Sequence, residues 1–93
     1  MPLASLREVK KIAVVGNSGA GKSTLSRKLG NSLGIPVYTI DKIYWLAGWK
    51  LRDQYSFRIL HEKWLDNDSW IIDGVGYWEV MEKRIAESDV VVF

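Results

Sequence analysis

Apolar residues fall along this chain in two alternating patterns, short continuous runs and helical stripes. The run Ile12-Ala13-Val14-Val15, entered from Lys11, predicts strand one over residues 11–15, buried on both faces as in a parallel sheet. Leu25, Leu29 and Leu33 then recur every four residues and predict an apolar stripe along a first helix. Gly34 reads as its C-terminal cap, and Pro36 prevents continuation. Val37-Tyr38-Thr39-Ile40, rich in β-branched and aromatic residues, predicts a second strand ending at Asp41.

Residues 42–52 carry Tyr44, Trp45 and Trp49 around Gly48 without a clean period, which predicts a loop or a short helical turn. Asp53 is placed to cap a second helix, on which Phe57, Leu60 and Trp64 fall at helical spacing. Asn67-Asp68-Ser69 breaks that helix, and Trp70-Ile71-Ile72 predicts a third strand closed by Asp73-Gly74. A further helical segment carries Met81 and Ile85 on one face with Arg84 beside them. Asp89 leads into Val90-Val91-Val92-Phe93, a fourth strand. This alternation predicts an α/β domain over residues 1–93, with a parallel sheet and right-handed crossovers. Ligands of such sheets lie beyond the carboxyl ends of the strands, where Gly16, Asp41 and Asp73 all fall.

The first strand runs into Gly16-Asn17-Ser18-Gly19-Ala20-Gly21-Lys22-Ser23, which reads G-x-x-x-x-G-K-S. A chance match in a chain this short is expected roughly three times in a thousand, so the motif is specific on its own. Glycines at 16, 19 and 21 let the backbone wrap a polyphosphate with its N–H groups turned inward. The following helix presents its positive dipole end to the same anion. Lys22 can reach the terminal phosphates, and the Ser23 hydroxyl is placed to ligate Mg²⁺. The alternative is an ordinary Gly-rich turn between a strand and a helix.

Composition narrows the field. Ninety-three residues bound the chain to one small domain. The absence of cysteine removes disulfides and Cys-based zinc sites. Residues 1–8 lack the basic start and apolar stretch of a signal peptide or a membrane span, so a cytoplasmic location and no membrane partner are expected. The net charge of +2 is spread along the chain, in basic pairs such as Lys10-Lys11 and Arg27-Lys28 and in single residues. No clustered basic face of the kind nucleic-acid contact needs is expected.

Asp73 ends an apolar strand where a phosphate-loop enzyme keeps its acidic Mg²⁺ partner, though it also suits a plain turn with Gly74. Asp41 can face an acceptor hydroxyl, as ligand or base, or can cap the segment that starts at Lys42. Trp45 and Trp49 can line an acceptor pocket or pack as a satellite cluster, while Trp64 and Trp70 read as core. Arg84 can clamp a transferring phosphate or pair with Glu82 or Glu87 on its helix surface. His61 reads as a surface or boundary residue.

With these residues assembled, the chain resembles the P-loop nucleoside and nucleotide kinases, and looks most like the adenylate-kinase-like group called topology modulation proteins. The resemblance rests on residues 16–24, ending in Thr24, and on Ile40-Asp41-Lys42-Ile43-Tyr44-Trp45 with Gly48-Trp49. It continues through Trp70-Ile71-Ile72-Asp73-Gly74 and Arg84-Ile85-Ala86-Glu87-Ser88-Asp89. It implies a three-layer P-loop NTPase fold, ATP with Mg²⁺, and phosphoryl transfer to a small-molecule or nucleotide acceptor. Residues 16–24 would bind phosphate, Lys22 and Arg84 would be catalytic, Ser23 and Asp73 would serve Mg²⁺, and Asp41 with Trp45 and Trp49 would face the acceptor.

Two departures qualify the match. Tyr77 stands where adenylate kinases proper place an arginine, four residues after the strand-three Asp. Family members also continue past strand four to an arginine-bearing lid and a fifth strand. The expectation here is therefore a truncated domain with sheet order 2-3-1-4, the fifth strand missing. A nucleotide-binding module without turnover is the alternative this raises, and a DNA-topology-related binding protein is a third reading. An uncovered sheet edge would allow a homodimer.

Overall fold

The computed structural model describes residues 9–15 and 20–92, with the backbone alone for residues 20–23. In chain order the elements are β1 (Lys11–Val14), α1 (Ala20–Leu33), β2 (Val37–Thr39), α2 (Asp41–Tyr44), β3 (Trp45–Leu46), β4 (Lys50–Leu51), α3 (Gln54–Leu65), β5 (Trp70–Asp73), α4 (Trp78–Glu87) and β6 (Val90–Val92). The chain is α/β, with a parallel four-stranded sheet ordered β2-β5-β1-β6. That is the expected 2-3-1-4 order of the four apolar runs.

Strand alternation sends successive side chains to opposite faces of the sheet. On one face Ile12, Val14, Ile35 and Ile71 form a buried cluster with Leu29 of α1 against it. On the other, Ala13, Val15, Trp70 and Ile72 meet Phe57 and Leu65 of α3 and Val80 and Met81 of α4. Helix, sheet and helix therefore make three layers. Trp70 and Phe57 are fully buried, and burial of side chains of this size stabilises by about 1.5–3 kcal/mol each.

The packing face of α1 differs from the expected leucine stripe. Ser26 is buried, while Leu25 and Leu33 are 38% and 43% exposed. The reason is close approach: a Cβ at Gly30 would lie 2.6 Å from Val37 Cγ2 and 2.9 Å from the Ile35 carbonyl. Small residues let the helix sit low on the sheet, which turns two of the leucines outward.

Residues 42–52 are more ordered than the sequence suggests. One helical turn, α2, leads into an antiparallel hairpin in which Trp45 pairs with Leu51 and Leu46 with Lys50. Trp49, at φ 60, holds a left-handed conformation unusual for a bulky residue. The hairpin is tied down at its base. Arg52 N–H donates to the Tyr44 carbonyl at 2.9 Å, Arg52 Nε to the Ile43 carbonyl at 2.7 Å, and the Tyr77 hydroxyl to the Arg52 carbonyl at 2.7 Å.

Asp53 caps α3 as expected, its carboxylate accepting from Ser56 N–H at 2.9 Å. The buried face of α3, however, runs through Phe57, His61 and Leu65. His61 is thus a core residue, a correction to its reading as surface or boundary. Trp70 is core as expected, and Trp64 is half-buried and stacked on Tyr38. Asp89 accepts from the backbone N–H groups of Lys10 and Lys11 at 2.9 and 3.0 Å, bonds that hold its carboxyl below the usual range and join the start of β6 to that of β1.

Among the described residues, β6 is an open edge of the sheet. Beside it Val9, Ile12, Leu29, Leu33, Val90 and Val92 line an apolar groove of about 260 Å³. No described helix is long and apolar enough to cross a membrane.

Candidate functional site

The register of the sheet assembles the site. Val14 pairs with Asp73, and Asp73 pairs on its other side with Thr39. Val14 lies two residues before Gly16, and Thr39 two residues before Asp41. The end of β1, the end of β5 and Asp41 therefore share one edge, at the carboxyl ends of neighbouring parallel strands. Cross-links fix this edge: Gly74 N–H donates to the Val14 carbonyl at 3.0 Å, and Ile40 N–H to the Asp73 carbonyl at 2.8 Å.

Gly16, Asn17, Ser18 and Gly19 lie outside the described residues, as do the side chains of Lys22 and Ser23. The backbone of Ala20, Gly21, Lys22, Ser23 and Thr24 forms the first turn and a half of α1. The first N–H groups of a helix have no partner within it, and they carry its positive dipole end. The segment between β1 and α1 is thus bounded by a buried strand on one side and a helix N-terminus on the other.

Asp73 is 1% exposed, and its Oδ1 has no hydrogen-bond partner among the described residues. A buried carboxylate oxygen without a donor costs free energy that a cation or a donor would recover. Its position, across from the strand that enters the glycine-rich segment, suits a hard divalent cation held by oxygen. The Ser23 hydroxyl, expected as its partner at such an ion, lies outside the described residues.

Arg84 is completely buried. Its Nη2 donates to the carbonyls of Gly74 and Val75 at 3.0 and 3.1 Å, and Nη1 lies 3.5 Å from His61 Nε2. Burial pushes its pKa down to about 10, while the charge of Asp73 acts in the opposite sense. The expected surface pair with Glu82 or Glu87 is not formed among the described residues. Arg84 grips the backbone that follows Asp73, and that is its observed contact in place of a surface clamp.

Asp41 is the first residue of α2, with Ile40 in the cap position and no side-chain cap bond, which corrects its reading as an N-cap. Its side chain is exposed on the same edge as Asp73. Trp45 and Trp49 meet edge to face at 5.9 Å, and Trp45 continues through Tyr44 into Phe57 and Tyr77. Trp49 is 83% exposed, so the pair caps an aromatic cluster with one ring in solvent.

His61 was missed by sequence reasoning and has a measurable consequence. Burial and the neighbouring Arg84 and Lys83 charges push its pKa down to about 4, with Glu62 opposing. The unfolded chain then takes up this proton near pH 6.5, well before the folded one does. Stability is therefore full above pH 6.5 and falls as pH drops towards 4. A loss of about 1.5 kcal/mol is expected between pH 6.5 and 5, from that pKa difference. Urea unfolding across this range should show it, and His61→Gln should flatten it; equal slopes in both proteins would assign the loss elsewhere.

No protein-family model, curated protein or solved structure matches this chain.

Proposed function

We propose that the chain binds ATP with Mg²⁺ at the carboxyl edge of β1 and β5, on a P-loop NTPase fold. As a kinase-like phosphotransferase, it passes the terminal phosphoryl group to a small-molecule or nucleotide acceptor. The observation that carries this reading is the buried, unpartnered Asp73 oxygen in register with Val14, two residues ahead of the G-x-x-x-x-G-K-S segment. Val14 and Asp73 are far apart in sequence, and their pairing across the sheet supports the reading.

In this reading the backbone N–H groups of residues 16–24 cradle the phosphates, and Lys22 follows the terminal phosphate as a mobile cation. Ser23 and Asp73 would hold Mg²⁺, which would supply neutralisation of the phosphate charge. An acceptor hydroxyl oxygen bonds to the γ-phosphorus as the bond to the β–γ bridging oxygen breaks. ADP leaves, and the hydroxyl proton passes to Asp41. Trp45 and Trp49 offer the acceptor an aromatic face. Catalysis here is positioning and charge neutralisation, with little covalent work for the protein.

A coupled ADP-release assay across nucleosides, nucleotides and small polyols tests the reading. Acceptor-dependent turnover that disappears without Mg²⁺ is expected. Silence across the panel from folded protein would contradict transfer and leave nucleotide binding alone.

A further inference from the structure

Arg84 is the largest charged side chain fully buried in the described fold, and a phosphate clamp would need it exposed. Its environment gives it a different task. The segment between Asp73 and α4 consists of Gly74, Val75, Gly76 and Tyr77, and both glycines take positive φ, 116° and 68°. The two glycines bring no side chains to fix it, while Tyr77 anchors its far end through the Arg52 carbonyl and the aromatic cluster. Arg84 supplies the fixture from the far end of α4, its Nη2 reaching the two carbonyls that directly follow Asp73.

The choice of arginine fits that geometry. A guanidinium presents several donors in a rigid plane and stays charged when buried, whereas a lysine ammonium makes point contacts on a flexible stem. His61, whose pKa lies near 4, faces Arg84 as a neutral ring at pH 7. The charge of Arg84 is thus left to act on the Gly74 and Val75 carbonyl dipoles and on Asp73.

We propose that Arg84 is a positioning residue for the Mg²⁺ site. It holds the 74–75 backbone, and through that backbone positions Asp73, and it touches neither the nucleotide nor the acceptor. The inference rests on the Mg²⁺–nucleotide reading of Asp73. It predicts that Arg84 acts only on the Mg²⁺-dependent part of nucleotide binding.

The experiment measures ATP affinity by calorimetry, in EDTA and across a Mg²⁺ titration, for the full chain, Arg84→Lys and Arg84→Gln, with melting curves for each. The Mg²⁺ concentration for half-maximal effect should rise about tenfold in Arg84→Lys and further in Arg84→Gln, the range typical of lost outer-shell partners. Affinity in EDTA should stay within about twofold of the unmodified chain, because phosphate contacts remain. An unshifted Mg²⁺ midpoint in folded variants would make Arg84 merely structural. An equal loss in EDTA would make it a direct phosphate ligand. Either result overturns the proposal.

If neither variant folds, amide exchange of residues 74–76 in the unmodified chain decides. Slowing by ATP with Mg²⁺ and not by ATP with EDTA supports the proposal, and equal slowing overturns it. An unmodified chain that binds ATP without any Mg²⁺ dependence overturns this inference together with its parent reading. A normal dependence that neither variant alters removes the role of Arg84 alone.

Discussion

Replacing Gly74 by valine is expected to destabilise the protein by about 3–5 kcal/mol, from added backbone strain and overpacking. Gly74 sits at φ 116, which side-chain-bearing residues rarely adopt. A Cβ there would lie 2.6 Å from Ile40 Cβ and 3.1 Å from Ile40 Cγ1, and Ile40 is fully buried and unable to move aside. The Gly74 N–H and carbonyl are both engaged, with Val14 and Arg84, so the backbone cannot rotate to relieve the clash. For a domain of this size the loss corresponds to a fall in melting temperature of roughly 15–30 °C. Thermal unfolding followed by circular dichroism measures it directly. A fall of only a few degrees would mean that the junction of β5 with β1 and β2 is looser than described.

Asp73→Asn is the functional counterpart. Asn fills the same volume, so the sheet is expected to form, but it lacks the charge that a divalent cation requires. The Mg²⁺-dependent part of ATP affinity should fall by about 10- to 100-fold, as for other outer-shell or water-bridged metal partners. Affinity measured in EDTA should hold. The same titration on Asp41→Asn separates the two carboxylates that share this edge. Asp41 is assigned to the acceptor, so its loss should leave Mg²⁺-dependent ATP binding unchanged. Equal effects from both substitutions would dissolve that division of labour.

The framework of the sheet was readable because each strand is a compact apolar run bounded by clear breakers, such as Gly34 with Pro36 and Asn67-Asp68-Ser69. The parallel direction of the strands then followed from the strand–helix alternation, and with it the shared edge of Asp41 and Asp73, while the strand order came from the resemblance. The hairpin was not readable. Strands of two residues carry no alternation, and beside Gly48 a second left-handed position is filled by Trp49, which carries no turn signal of its own.

The helix faces failed for a related reason. On α1, Ser26 and Gly30, which score as polar or neutral, join Leu29 on the buried face, while Leu25 and Leu33 face outward. On α3, the polar His61 marks the buried face because Arg84 reaches it from α4, a partner 23 residues away. Arg84 itself was recognisable as chemically important, but its inward direction depends on the Gly74 and Val75 carbonyls, and no local pattern announces that.

The most direct test is calorimetric titration of ATP with Mg²⁺ into the chain and into Lys22→Ala. Saturable binding at a single site is expected. It should weaken at least about tenfold in the variant, because a hydrogen bond to a charged group contributes about 1.5–3 kcal/mol. A folded chain that releases no binding heat, or a Lys22→Ala variant with undiminished affinity, would contradict the assignment of the β1–α1 segment to nucleotide phosphate.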